Sequence, residues 1–115
     1  MNEVVMKPWG TYQVISCTSE FNVKKIVIYP KSQPSYQYHA KRAEHWIIIS
    51  GCGQVTIDDQ IFSCKSDDQF YVPIGSKHRI TNTSSEHELV FIEIQTGTYF
   101  GEDDIVRIQD DYSRS

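Results

Sequence analysis

The stretch that decides the fold is Gln37-Tyr38-His39-Ala40-Lys41-Arg42-Ala43-Glu44-His45-Trp46, which continues to Gly51. It sets polar and ionisable side chains directly before the most apolar run of the chain. A second segment, Asp67 to Asn82, adds another histidine beside the turn Pro73-Ile74-Gly75. Two short segments that carry imidazole or carboxylate groups into one interior are what a metal site with three or four ligands requires.

The composition is that of an ordinary soluble protein. The 115 residues, 39% hydrophobic and 23% charged, are enough for one domain (residues 1–115) with its own core. A net charge of −4 argues against nucleic acid as the main partner, because phosphate backbones attract basic surfaces. We find neither a secretory signal nor an apolar run that could cross a bilayer. The sequence therefore predicts a cytoplasmic protein without a membrane partner.

Short β-rich runs alternate with turn residues along the chain, and no window has convincing helical periodicity. The predicted strands are Tyr12–Ser16, Val23–Tyr29, Ser35–His39, His45–Ser50, Gln54–Ile57, Gln60–Cys64, Gln69–Val72, His78–Asn82, Leu89–Thr96 and Ile105–Ile108. If Asp58-Asp59 is a two-residue hairpin turn, Gly53 pairs with Cys64. Many short strands are typical of a sandwich or a small barrel, so we predict an all-β fold.

Strand alternation predicts which side chains meet. Residues two apart share a face, so Gln37 and His39 point the same way, and Glu44 and His78 each lie on the face of neighbouring apolar residues. If these faces line one interior, the four side chains converge. Imidazole nitrogen with carboxylate and amide oxygen suits zinc, iron, manganese or similar cations. We predict a metal site formed by these four residues.

Two longer patterns resemble the motifs of the cupin family. Asp67-x5-Pro73-x-Gly75-x2-His78-x3-Asn82 is similar to the second cupin motif, with Asp67 where its first glycine usually stands. Gln37-x-His39-x4-Glu44-x6-Gly51 is similar to the first motif, with Gln37 in place of the leading histidine.

More narrowly, the chain resembles the cupin domain of type II mannose-6-phosphate isomerases, which is often the C-terminal half of bifunctional mannose-1-phosphate guanylyltransferases. The strings that carry this resemblance are Lys7-Pro8-Trp9-Gly10-x-Tyr12, Arg42-Ala43-Glu44-His45-Trp46, Pro73-x-Gly75-x2-His78-Arg79 and Gly97-x-Tyr99-x-Gly101-Glu102-Asp103-Asp104-Ile105-x-Arg107. No glycine-rich nucleotidyltransferase loop precedes them, so guanylyltransferase activity is not expected.

The resemblance implies a cupin barrel, also called a double-stranded β-helix or jelly roll. It implies a divalent metal, zinc first, with manganese, cobalt, nickel or iron as alternatives. It also implies interconversion of mannose-6-phosphate and fructose-6-phosphate, which supplies GDP-mannose and polysaccharide synthesis. A homodimer formed through N-terminal strands is expected, since open sheet edges need covering.

The isomerisation implied by the resemblance assigns provisional roles. It moves a proton between C2 and C1, for which His45 or Lys41 could be the base. The sugar phosphate requires fixed cations. Arg42 is the first candidate, followed by Arg79 and by Lys24 or Lys25.

The sequence departs from the family pattern in two places, which keeps a second function open. The family commonly has histidine at the positions of Ala40 and Lys41, and Lys31 replaces a usual glycine after Pro30. The alternative is a diverged cupin that binds a sugar or nucleotide sugar in polysaccharide biosynthesis without isomerising it. Other cupin chemistry, such as that of an epimerase or dioxygenase, is a third alternative.

Overall fold

The computed structural model describes residues 3–112, and its regular secondary structure there consists of eleven strands. They are β1 Val4–Lys7, β2 Gly10–Cys17, β3 Phe21–Ile28, β4 Tyr36–Tyr38, β5 Arg42–Ser50, β6 Cys52–Ile57, β7 Gln60–Lys65, β8 Gln69–Val72, β9 His78–Asn82, β10 Leu89–Gly97 and β11 Val106–Gln109. The described part of the chain contains no helix that is long and apolar enough to span a membrane.

The strands form two sheets whose inner faces share one core. One sheet has six strands in the order β1-β2-β3-β10-β5-β8, and the other has five in the order β11-β4-β9-β6-β7. All neighbouring strands are antiparallel. The predicted all-β fold is therefore confirmed.

All ten predicted strands occur, with ends that shift by a few residues. The largest shift is at β5, which begins at Arg42 rather than at His45. The strand β1 was not predicted, because this short edge strand has the sequence VVMK, which shows no alternation of apolar and polar residues.

The hairpin between β6 and β7 has the predicted register. Gly53 pairs with Cys64, and the two turn residues Asp58 and Asp59 have positive φ values of 49° and 70°. Two successive positive φ values are the mark of a type I′ turn, whose twist suits a hairpin. The close packing of β6 against β9 also requires glycine at position 53, since a Cβ there would lie 2.1 Å from the carbonyl oxygen of Thr81.

The interior changes from apolar to polar along the length of the strands. On β10 the inward residues run from Leu89 and Phe91 to Glu93 and Gln95, all of them buried. The neighbouring strands follow the same gradient: Phe91 pairs with Ile26 and Ile48, whereas Gln95 pairs with Asn22 and Glu44. One end of the barrel is thus a hydrophobic core and the other is a buried polar cavity.

Candidate active site

Two histidines and a glutamate meet at the polar end of the barrel. His39 directly follows β4, Glu44 lies on β5 and His78 begins β9, so three strands from both sheets supply them. The Nε2 atom of His39 is 3.3 Å from Oε2 of Glu44, and Nε2 of His78 is 3.7 Å from Oε1 of the same carboxylate. All three side chains are buried, with exposed fractions of 2–4%. The convergence predicted from strand alternation is observed for these residues.

Backbone hydrogen bonds fix how both imidazoles face the cluster. Nδ1 of His39 donates to the carbonyl oxygen of Asp104, and Nδ1 of His78 donates to that of Ser76 at 3.0 Å. A carbonyl can only accept, so in the neutral ring Nδ1 holds the proton and Nε2 presents a lone pair. Outer hydrogen bonds of this kind orient metal-binding histidines. Burial and the charge of Arg42 hold the pKa of His39 below its ordinary value against the pull of Glu44, which favours this neutral form.

Glu44 is held as a carboxylate by the groups around it. Arg42 Nε donates to Oε2 at 3.1 Å and the indole N–H of Trp46 donates to Oε1 at 2.9 Å. Burial opposes ionisation of this group, but electrostatic attraction by the imidazole of His78, by Arg42 and by the imidazole of His39 outweighs burial and lowers its pKa. Trp46 is therefore part of the core and also orients the candidate ligand.

The cluster fits a divalent cation. Its donors are two imidazole nitrogens and one carboxylate, a set that suits zinc and other first-row metals. Nε2 of His78 is buried and has no hydrogen-bond partner, which costs free energy unless something binds it. Gln37 pairs with His78 in the β4–β9 register and lines the same cavity, and its Oε1 accepts a hydrogen bond from Ser35 at 2.8 Å. Its role as a fourth ligand stays a prediction.

A cationic group lies beside the cluster. Lys24 and Arg42 are each 4% exposed, and both line the cavity. Nζ of Lys24 is 2.7 Å from Oε2 of Glu102 and 4.5 Å from the centre of the Tyr12 ring. Arg42 Nη2 lies 3.1 Å from Nε2 of His39, while Nη1 is 3.6 Å from Oε2 of Glu102 and has no hydrogen-bond partner. This group can bind an anion that enters the cavity.

Glu93 is a cavity residue that the sequence analysis missed. It is 6% exposed, and its Oε2 accepts a hydrogen bond from Gln95 at 2.6 Å. Burial, and then the negative charge of Glu44, raises its pKa far above that of an ordinary carboxyl group. The available signal was the alternation in the predicted strand Leu89–Thr96, which puts Glu93 on the face of Phe91.

The structure corrects the placement of the two predicted bases. His45 alternates away from Glu44 to the exposed outer face of β5, where its ring lies 4.7 Å from that of Tyr71. Lys41 precedes β5 and is exposed, with Nζ 5.3 Å from the centre of the Tyr99 ring. Neither side chain lines the cavity that holds the cluster.

Two further candidates for binding the phosphate, Lys25 and Arg79, are placed differently from Lys24 and Arg42. Lys25 is exposed on the outer face of β3, because its neighbour Lys24 takes the inward position. Arg79 lines the cavity, but its guanidinium donates to the carbonyl oxygens of Pro34 at 3.1 Å and Gln109 at 3.2 Å. These bonds engage the guanidinium with neighbouring backbone, and the role of Arg79 in binding phosphate stays a prediction.

A family model matches the sequence of this chain over nearly its whole length. Residues 1–110 match the family described as "Mannose-6-phosphate isomerase C-terminal". The chain belongs to this family. The resemblance drawn from the sequence motifs is thereby confirmed.

The family members with the same domain are longer biosynthetic proteins. Among them are the alginate biosynthesis protein AlgA of Pseudomonas aeruginosa, 44% identical over 96% of this chain, and the xanthan biosynthesis protein XanB of Xanthomonas campestris, 42% identical over 96%. A mannose-1-phosphate guanylyltransferase of Klebsiella pneumoniae is 42% identical over 96%. The chain spans only 23–24% of the length of these relatives, where it corresponds to the C-terminal domain.

Solved structures confirm the cupin fold. Oxalate decarboxylase from Bacillus subtilis superposes with a TM-score of 0.82 and 19% identity, over 93% of this chain and 30% of that one. A double-stranded β-helix protein from Klebsiella pneumoniae gives a TM-score of 0.77 and 15% identity, over 90% of this chain and 87% of that one. At these identities the similarity concerns the fold alone.

Proposed function

We propose that this chain is a metal-dependent aldose–ketose isomerase that interconverts mannose-6-phosphate and fructose-6-phosphate for polysaccharide synthesis in the cytoplasm. The observation that carries the proposal is the juxtaposition, in one cavity, of the His39–Glu44–His78 cluster with the buried cations Lys24 and Arg42. Membership of the mannose-6-phosphate isomerase C-terminal family supports the choice of substrate.

The metal would be held by His39, Glu44 and His78, with Gln37 as the candidate fourth ligand. When bound, it supplies Lewis-acid polarisation of the sugar's carbonyl and hydroxyl oxygens. Zinc is the first choice for two imidazoles and a carboxylate. Trp46 and Arg42 keep the Glu44 carboxylate oriented by donating to its two oxygens.

The phosphate group of the substrate would bind to Lys24 and Arg42. Both cations are buried, and a charge-assisted hydrogen bond is stronger where water is excluded. The donor that Arg42 offers to a phosphate is Nη1, which has no hydrogen-bond partner, since Nε and Nη2 face Glu44 and His39. Holding the dianion on two fixed cations restricts the positions that the reacting carbons can take in the cavity.

Glu93 is our candidate for the group that moves the proton between C2 and C1. The assignment rests on its position, since it is a carboxyl group that lines the cavity next to Glu44 and Lys24. A base must come within hydrogen-bond reach of the carbon-bound proton, and the two bases predicted from sequence point outward.

The proposal is tested by incubating metal-loaded protein with mannose-6-phosphate in deuterium oxide and following both sugars by NMR. We expect fructose-6-phosphate to form and deuterium to enter at C2 of the recovered substrate. Glu93→Gln should abolish both signals while metal content stays normal. Arg42→Ala should weaken sugar-phosphate binding by about 2–4 kcal/mol, the cost of truncating a buried charge partner.

The alternative, a cupin that binds a sugar or nucleotide sugar without isomerising it, predicts a different result. Such a protein would bind mannose-6-phosphate without forming product or exchanging the C2 proton. Lys41→His, which restores a histidine common in the family, provides a second test. Because Lys41 lies outside the cavity, an active wild type should gain nothing from this change. Activity that appears only in Lys41→His would favour the diverged binder.

A further inference from the structure

The anion subsite already contains a carboxylate. Oε2 of Glu102 lies 2.7 Å from Nζ of Lys24 and 3.6 Å from Nη1 of Arg42. Each of these atoms is one to which the phosphate of the proposed function would bind. Two unit negative charges cannot share two cations at such distances without strong repulsion.

The three partners differ in how firmly they are placed. Lys24 and Arg42 are strand residues with 6% and 4% side-chain exposure, so their positions are fixed by the barrel. Glu102 is 55% exposed and lies in the loop between β10 and β11. Its side chain can rotate into solvent without unpacking any core residue, whereas neither cation can.

The loop itself is held in place on both sides of Glu102. The carboxylate of Asp104 accepts hydrogen bonds from the backbone N–H groups of Ala40 at 3.1 Å and Lys41 at 3.0 Å. Before Glu102, the N–H of Thr98 donates to the carbonyl oxygen of Lys41 at 3.1 Å. The loop therefore keeps Glu102 next to the subsite after its carboxylate has turned away.

From this geometry we infer that Glu102 competes with the phosphate group of the ligand for the Lys24–Arg42 subsite. Its carboxylate occupies this subsite in the free protein and must leave when an anionic sugar binds. The carboxylate covers the two buried cations while the cavity is empty. It also discriminates between ligands, because a dianion can replace it more readily than a neutral sugar or a weak monoanion. The inference rests on the proposed function only for the identity of the anion.

The test measures binding of inorganic phosphate by titration calorimetry at constant ionic strength, and needs no turnover. Glu102→Gln keeps the size of the side chain and removes its charge, so phosphate should bind at least about tenfold more tightly than to the wild type. The matched control Glu86→Gln makes the same change on an exposed loop residue that does not line the cavity, and should leave the affinity unchanged. Adding Lys24→Met to Glu102→Gln should remove the gain.

Equal or weaker binding in Glu102→Gln would overturn the inference, because it would show that Glu102 holds the cations in position for the ligand. A similar gain in phosphate affinity in Glu86→Gln would also overturn the inference, because it would show that the net charge of the protein, and not the position of Glu102, determines the affinity. The second variant, Glu102→Ala, removes the charge without introducing a side-chain amide, and its affinity for phosphate should also rise. A gain in phosphate affinity in a chain that isomerises nothing would uphold this inference and contradict the proposed function.

Discussion

At the scale of single residues, Arg42 connects the His39–Glu44–His78 cluster with the proposed anion subsite. Its Nε and Nη2 atoms lie 3.1 Å from Glu44 Oε2 and from His39 Nε2, while its Nη1 faces Glu102. The same lone pairs of Glu44 and His39 are those that a metal would use. Metal binding and the position of the guanidinium are therefore linked through shared acceptors, which explains why one arginine belongs to both parts of the site.

The first prediction concerns the ligands. His78→Ala should abolish zinc retention, because it removes one nitrogen donor and leaves a polar gap, and Glu44→Gln should weaken zinc binding by removing the charge at constant shape. Metal content is measured by elemental analysis and affinity by competition with a chromogenic chelator. His87→Ala removes an imidazole from an exposed position and is the matched control. Normal zinc binding in both cavity variants would place the site elsewhere.

Sequence reasoning found the three clustered ligands because strand alternation is a strict geometric rule. The same rule puts His45 on the face of β5 opposite to Glu44, and the structure agrees. Glu93 and Glu102 were not predicted as site residues. Alternation puts Glu93 on the inner face of its strand, but its position beside Lys24 depends on the pairing of strands, and that of Glu102 depends on a loop conformation; local sequence pattern contains neither.

At the scale of the elements, two departures from the usual motifs fall at turns with unusual backbone geometry. Lys31 has a φ of 55° and Asp67 a φ of 76°, both in the left-handed region that favours glycine. These are positions at which the family or the wider cupin motif usually has glycine. The chain thus keeps the turns that the motifs require and tolerates some backbone strain there.

The second prediction follows from that strain. Asp67→Gly should raise the melting temperature by about 2–4 °C, since it relieves the left-handed penalty and the exposed side chain is replaced at little cost. The backbone bond from its N–H to the carbonyl oxygen of Ile48 at 2.8 Å remains. Asp68→Gly is the matched control and should destabilise, because the Asp68 carboxylate accepts the N–H of Lys65 at 2.9 Å. Calorimetry that finds Asp67→Gly less stable than the wild type would contradict this account.

At the scale of the whole molecule, the fold was predictable because the chain is consistent at every level. Short alternating runs, turn residues at their ends and the Asp58-Asp59 hairpin all favour one antiparallel β architecture, and the observed register agrees. The gradient from apolar to polar side chains along the barrel was less accessible. It arises from the registers of β3, β5 and β10, which bring Glu93 beside Lys24 and Trp46 only after all three strands have paired.

The last prediction is the homodimer, with a second copy of the chain as the partner. β1 is an edge of the six-stranded sheet, and its Val4 and Met6 are 54% and 68% exposed. An exposed edge strand is a template for pairing, and two copies related by a two-fold axis can join their β1 edges as antiparallel neighbours. We therefore expect light scattering to give twice the mass of 13.3 kDa.

Replacing Met6 by Lys should convert this dimer to a monomer with an intact fold, because the charge opposes edge pairing without touching the core. Ile61→Lys is the matched control, since Ile61 is 64% exposed on β7, an edge of the other sheet. A dimer that survives Met6→Lys and dissociates in Ile61→Lys would move the interface to the five-stranded sheet. A wild type that is monomeric at high protein concentration would contradict the prediction altogether, and would mean that the short length and right-handed twist of β1 are enough to protect this edge.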